Sequence, residues 1–318
     1  MSDRTAADEF ADQWIHVGWK NVRCFGLDIA SGRSRDPVIF LSCGNGVLVS
    51  DDLSRWRVST DWRVTEVLDI VCIGPKGVNG QPTVVAATAY GPFVSNDAGG
   101  SWLPAMDGLE GSGVNATFCT TICHARNSDM LVLGTEDGLF GLEWSDELQW
   151  APFGPRGVAI RSICEDRTLG GKWFAASDGS GMLVSTADAQ DWRTVLEGHV
   201  LYSVDCSSLE AGVVAAGGLD PRLWISRDHG ETFDSIDAPL SSISIHALAF
   251  DMAEPDVVWV GSTENGVFRV DLTSGSWSFV GLRDASIRSL KFVQTGILAY
   301  RPDALNVRTG VNGQRNAE

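Results

Sequence analysis

Val94-Ser95-Asn96-Asp97-Ala98-Gly99-Gly100-Ser101-Trp102 decides how the rest of this chain is read. From Ser95 it follows the pattern S-x-D-x-G-x-[ST]-[WF], which returns as Ser226-Arg227-Asp228-His229-Gly230-Glu231-Thr232-Phe233. Worn copies run from Ser50-Asp51-Asp52 to Trp56, from Ser185 to Trp192 and from Asp271 to Trp277. Ser and Asp side chains bond nearby backbone N–H groups and hold a tight turn. Gly takes the positive-φ position, and the aromatic packs the turn against its sheet. Most copies follow a glycine and an apolar run, as in Gly91-Pro92-Phe93-Val94 or Gly266-Val267-Phe268. Such a turn is a structural staple and by itself implies no chemistry.

The spacing of the anchors extends this reading to the whole chain. Trp14, Trp56, Trp102, Trp150, Trp192, Phe233 and Trp277 are separated by 42, 46, 48, 42, 41 and 44 residues. A period of roughly 40–50 residues marks propeller blades or another repeat array. After Trp277 come three more strand-like runs, Ile287–Phe292, Gly296–Tyr300 and Leu305–Arg308, without an eighth anchor. Trp14-Ile15-His16-Val17 reads as the missing fourth strand. The expected fold is all-β: a seven-bladed β-propeller of four-stranded blades, closed by pairing the N-terminal strand with the C-terminal strands. Closure would leave no exposed sheet edge. The repeat resembles the Asp-box, or BNR, repeat of sialidase-like, sortilin-type and photosystem-assembly-factor-like propellers. The resemblance covers nearly the whole chain and rests on two close copies and several degenerate ones.

A chain of 318 residues would ordinarily divide in two. A uniform repeat argues for one domain over 1–318, because each blade buries its faces only against its neighbours; 1–11 and 310–318 read as disordered tails. The formal charge of −17 weighs against nucleic acid as a partner. Met1–Ala11 is polar and acidic, with no apolar core of a signal peptide, and no run approaches the roughly 20 apolar residues of a membrane span. The expectation is a cytoplasmic protein without membrane insertion. Seven cysteines, an odd number, mostly lie in runs that read as inner strands, which fits buried thiols better than a disulfide framework. Cys119-x-x-x-Cys123-His124 lies on one strand, where four residues span about 13 Å, so the two thiols cannot share an ion. No metal and no cofactor are expected.

The functional end is expected where inner strands begin, at the end of the ring opposite the stapled turns. Residues 119–134 align with 246–261 without a gap, and extending that register gives one position per blade: Arg23, Leu68, Cys119, Arg161, Tyr202, His246 and Arg288. Loops at the same end supply Asn45, Tyr90, Glu136, Asp137, Asp178, Asp220, Glu264, Asn265 and Asp303. Guanidinium forks pair with carboxylate or phosphate. The expected ligand-binding set is therefore Arg23, Arg161, Tyr202, His246, Arg288, Glu136, Asp178 and Glu264, around a funnel that holds a small anionic molecule or engages a protein. Sialidase resemblance implies three arginines on a carboxylate, with Tyr and acidic residues as catalysts. His246, Tyr202, Glu136 and Asp178 are the candidates for a lyase or glycoside-hydrolase-like enzyme. Sialidases have six blades, however, and their F-R-I-P-type motif is missing. Resemblance to photosystem-assembly factors implies binding of a membrane-protein precursor, but their basic face has no counterpart in so acidic a chain. A binding scaffold and an enzyme both remain open, because propellers host both.

Overall fold

In the computed structural model, residues 14–17, 23–31, 37–125, 129–145, 148–293, 296–301 and 304–309 are described. Asp303 and the tails 1–11 and 310–318 lie outside them. Among the described residues the strands form seven four-stranded sheets, each ordered by antiparallel neighbours. The innermost strands are Cys24–Ser31, Val67–Ile73, Cys119–His124, Ile160–Glu165, Leu201–Cys206, Ile245–Phe250 and Ser289–Val293. Six sheets are runs of four consecutive strands. In the seventh, Trp14–Val17 pairs with Ala304–Thr309, placing Trp14 opposite Arg308 and Val17 opposite Leu305. Successive innermost strands lie side by side, and Ser289–Val293 touches Cys24–Ser31 of sheet one. The arrangement fits a propeller.

Burial explains why the strands read as they do. Second and third strands are covered on both faces, so Thr83–Thr88, Trp173–Ser177 and Gly181–Ser185 are buried at every position. They appear as unbroken apolar or small-residue runs instead of alternating ones. Outer strands such as Arg57–Val58 and Asp234–Asp237 are largely exposed. Apolar clusters fill the gaps between successive sheets from one to seven, and another covers the face of sheet one turned away from sheet two.

The periodic aromatics belong to these gaps. Trp102, expected to pack on its own sheet, lies with residues of sheets one and two, and its indole N–H donates to the Ser59 carbonyl at 3.2 Å. Trp150 donates to Ala105 at 2.9 Å, Trp192 to Phe153 at 3.0 Å and Trp14 to Val280 at 2.9 Å. In each case the acceptor lies in or just beyond the outer strand of the preceding sheet. These four anchors are thus inter-sheet rivets with satisfied polar tips. Trp56 instead donates to Leu53 of its own turn at 3.2 Å, and the Trp277 indole nitrogen is buried without a partner among the described residues.

The quoted turns make the bonds their residues call for. Ser95 Oγ accepts from Gly99 N–H at 2.7 Å, and Asp97 accepts from the Ser101 N–H and hydroxyl, both at 2.8 Å. Around Asp228, Gly230 N–H donates to Ser226 Oγ at 2.8 Å and the Thr232 hydroxyl to Asp228 at 2.6 Å. Gly230 sits at φ +80°, and a Cβ there would come within 2.4 Å of the Phe174 ring, so glycine is required on both counts.

The Thr232 side chain and backbone bonds, above all, lower the Asp228 carboxyl from 3.8 to about 2. A lowered carboxyl stabilises the fold above its unfolded pKa and loses that contribution as pH falls through the folded value. Asp228→Ala should cost on the order of 1 kcal/mol at neutral pH. The difference in thermal midpoint from wild type should shrink from about pH 4 toward about pH 2. A difference that stays constant over that range would remove the carboxylate from the explanation.

Candidate functional site

Every described inner strand from sheet one to sheet six carries a β-bulge near its start. Leu201 faces Gly218 and Ser203 faces Gly217, leaving Tyr202 as the extra residue; Ile245, His246 and Ala247 repeat this against Ser262 and Gly261. The bulged residues are Phe25, Leu68, Thr120, Arg161, Tyr202 and His246. Arg288 follows Ile287, whose N–H reaches the Ser262 carbonyl at the head of sheet seven. Bulges re-aim side chains at sheet ends, and here they set one residue apart at the start of each of these six inner strands.

This register corrects the sequence alignment at two positions. Thr120, not Cys119, is equivalent to His246, and Phe25, not Arg23, occupies the position in sheet one. The gapless match failed because Thr121 pairs with Gly134, 13 residues on, while Ala247 pairs with Gly261, 14 residues on. The hairpin of sheet three is one residue shorter. Arg23 still lies beside that position, its guanidinium 5.4 Å from the Phe25 ring centroid.

Tyr202, His246 and Arg288 come together from three successive sheets. The Tyr202 and His246 rings stack with centroids 4.4 Å apart at 21°. Arg288 Nη1 lies 2.9 Å from His246 Nδ1. Arginine only donates, so Nδ1 is the acceptor and the ring proton sits on Nε2. Burial first, then the Arg288 charge, lowers His246 from 6.5 to about 4. The imidazole is neutral at physiological pH. Because the unfolded chain takes up this proton first, the group erodes stability from about pH 6.5 down to about 4. Long-range ¹⁵N NMR should show the Nε2–H tautomer with no titration between about pH 8 and about 5. A midpoint of about 6.5 would mean that the imidazole is neither buried nor held against Arg288.

The other predicted residues are arranged differently. Arg161 bonds Glu136 at 2.6 Å and Asp178 at 2.7 Å, so three of the eight form an ion-paired set of their own. Asp137 pairs with Arg156, and Asp220 lies 2.5 Å from His199 Nδ1. Glu264 is exposed on the loop of sheet six, its N–H bonded to Ser286 Oγ at 3.1 Å. Among the described residues no group of three or more His, Cys, Asp or Glu is placed to hold a metal.

Further along the inner strands lies a set of side chains that the sequence reading missed. The free edge of each inner strand needs partners for its N–H groups. Asp28 accepts from Cys72 N–H at 2.8 Å, Asp69 from Ile122 at 3.0 Å, and Asp205 from Phe250 at 2.9 Å, each on the next sheet. Lys291 reaches Asp28 at 3.0 Å. The legible signal was an aspartate flanked by apolar residues, in Leu27-Asp28-Ile29, Leu68-Asp69-Ile70 and Val204-Asp205-Cys206. Burial raises the Asp69 carboxyl, with its three hydrogen bonds and Lys291 pulling the other way. These groups tie sheets together and leave little free for a ligand.

No protein-family model and no curated protein matches the chain. Among solved structures it is similar to the extracellular domain of a B. thetaiotaomicron protein described as a one component system, at 15% identity and TM-score 0.70. That match covers 94% of this chain and 40% of the other, so the chain spans about two fifths of its neighbour. YCF48 from Cyanidioschyzon merolae is similar at 13% identity and TM-score 0.72, over 93% and 98% of the two chains. The computationally designed Ika8 protein is similar at 15% identity and TM-score 0.60, also over 93% and 98%. At these identities the likeness is one of fold, that of propeller-type domains.

Proposed function

We propose that the chain is a seven-bladed, Asp-box-type β-propeller, closed through Trp14–Val17, that serves as a binding scaffold for an anionic group at its mouth. The contact of Tyr202, His246 and Arg288 carries this reading. Three separate sheets bring a guanidinium, an imidazole and a phenol into one contact, each with an N–H or O–H still able to donate. Such a set suits a carboxylate or phosphate. It suits proton abstraction poorly, because the one unprotonated ring nitrogen already accepts from Arg288. Nor does Arg161, bonded to both Glu136 and Asp178, leave the open carboxylate pair that glycoside hydrolysis uses.

A protein partner presenting the anion is the second reading. Its support is Trp62 at 86%, Tyr90 at 64% and Val114 at 82% exposure, on loops at the same end as the mouth. Large exposed apolar side chains on loops are frequent anchors of an interface.

A thermal-shift screen of mono- and dicarboxylates and organic phosphates tests the first reading. Arg288→Ala should weaken binding of any hit by tenfold or more, on the order of 1.5–3 kcal/mol for a charge-assisted bond. Trp62→Ala should leave it unchanged. The reverse pattern, in capture of a protein, would move the site from the mouth to the loops.

A further inference from the structure

Cys164 and Cys206 lie on neighbouring inner strands, Ile160–Glu165 and Leu201–Cys206. Their side chains face each other in the apolar gap between sheets four and five. The two sulfurs are 2.7 Å apart. Cys24 and Cys43, directly opposed on paired strands of sheet one, stay 3.5 Å apart. Cys164 and Cys206 are only 6% and 2% exposed, so a bulky oxidant is shut out. Arg167, held toward Asp205 at 3.5 Å, places a guanidinium whose charge reaches both sulfurs.

We propose that Cys164 and Cys206 are a dithiol modification site, converted by hydrogen peroxide into a disulfide that joins the inner strands of sheets four and five. The inference rests on strand geometry and is independent of what the mouth binds. Burial above all pushes both thiols up, and either sulfur can donate the hydrogen bond between them. Either can therefore attack first, and the reversed roles give the same disulfide. With Cys206 attacking, its sulfur takes one peroxide oxygen, the O–O bond breaks, and the departing hydroxide gains a proton to leave as water. The resulting Cys206 sulfenic acid is attacked by the Cys164 sulfur. Hydroxide leaves from Cys206, collects the Cys164 proton and becomes a second water. Two thiols and one peroxide give one disulfide and two waters, with the sulfurs oxidised and the peroxide oxygens reduced. Peroxide is the fitting oxidant class, because thiol–disulfide exchange requires a larger molecule to approach one of the shielded sulfurs in line.

The test treats the folded full chain with hydrogen peroxide, blocks remaining thiols with N-ethylmaleimide, and maps peptides by mass spectrometry without reduction. A Cys164–Cys206 cross-linked peptide, two hydrogens lighter than the sum of its parts and split by a reductant, is expected. Cys164→Ser should instead leave a sulfenic acid on Cys206 that dimedone traps, and Cys24→Ser should leave the cross-link intact. Wild-type protein reads the outcome directly, so a poorly folding variant does not obscure it. Oxidised protein with both residues still alkylatable, a Cys24–Cys43 link in place of Cys164–Cys206, or sulfinic acid on Cys206 without a link each overturns the proposal.

Discussion

Protein lacking Met1–Val17 should be recovered as soluble aggregate or not at all. The deletion removes the strand paired with Ala304–Thr309 and, with it, the Trp14 indole bonded to Val280 of sheet six. Trp14 also packs into the cluster between sheets six and seven. Trp14 is only partly buried, so its loss costs less than the ~3–5 kcal/mol of a core tryptophan, still a sizeable share of the ~5–15 kcal/mol total stability of a typical domain. The uncovered strand then offers a row of unpaired backbone groups to another chain. Size-exclusion chromatography and a circular-dichroism melt decide the matter. A monomer with an unchanged midpoint would show that the terminal strand is decoration. Trp14→Ala separates the two terms: it should lower the midpoint without causing association, because the edge stays covered.

That strand was readable in advance because a count exposed it. Seven aromatic anchors with only three strand-like runs after the last leave one strand owing, and Trp14-Ile15-His16-Val17 is the segment left to supply it. Repeats are legible because the same packing problem is solved in every gap, so the same residue types return at the same interval. The mouth was less legible for the same reason in reverse. Strand starts vary in hairpin length, and a one-residue difference between Thr121–Gly134 and Ala247–Gly261 was enough to put Cys119 where Thr120 belongs. A bulge adds a second shift that hydropathy does not record, since Phe25, Thr120 and His246 share no chemistry. Which arginine is occupied is a matter of reach. Arg161 and Arg288 look alike in sequence, yet one meets two carboxylates and the other a histidine.

Trp173→Ala should be the most damaging single substitution in the gap between sheets three and four, at about 3–5 kcal/mol. Trp173 is 1% exposed and among the largest fully buried side chains. Its ring meets Phe153 edge-on, 5.6 Å between centroids at 85°, and Phe153 meets Trp192 in the same manner at 5.8 Å. Three aromatics thus bridge the outer strand of sheet three and the face of sheet four, with edge-to-face geometry adding to the area buried. Nothing small can fill the space, because Leu139, Ile160, Ala175 and Leu183 already line it. Trp62, 86% exposed, is the control of identical chemistry, and Trp62→Ala should stay within about 0.5 kcal/mol of wild type. Urea unfolding with linear extrapolation measures both. A double-mutant cycle of Trp173→Ala with Phe153→Ala should show coupling of about 0.5–1.5 kcal/mol, the aromatic-pair contribution beyond area. Equal costs for the two tryptophans, or independent costs for Trp173 and Phe153, would mean that packing in the gaps does not hold the sheets together.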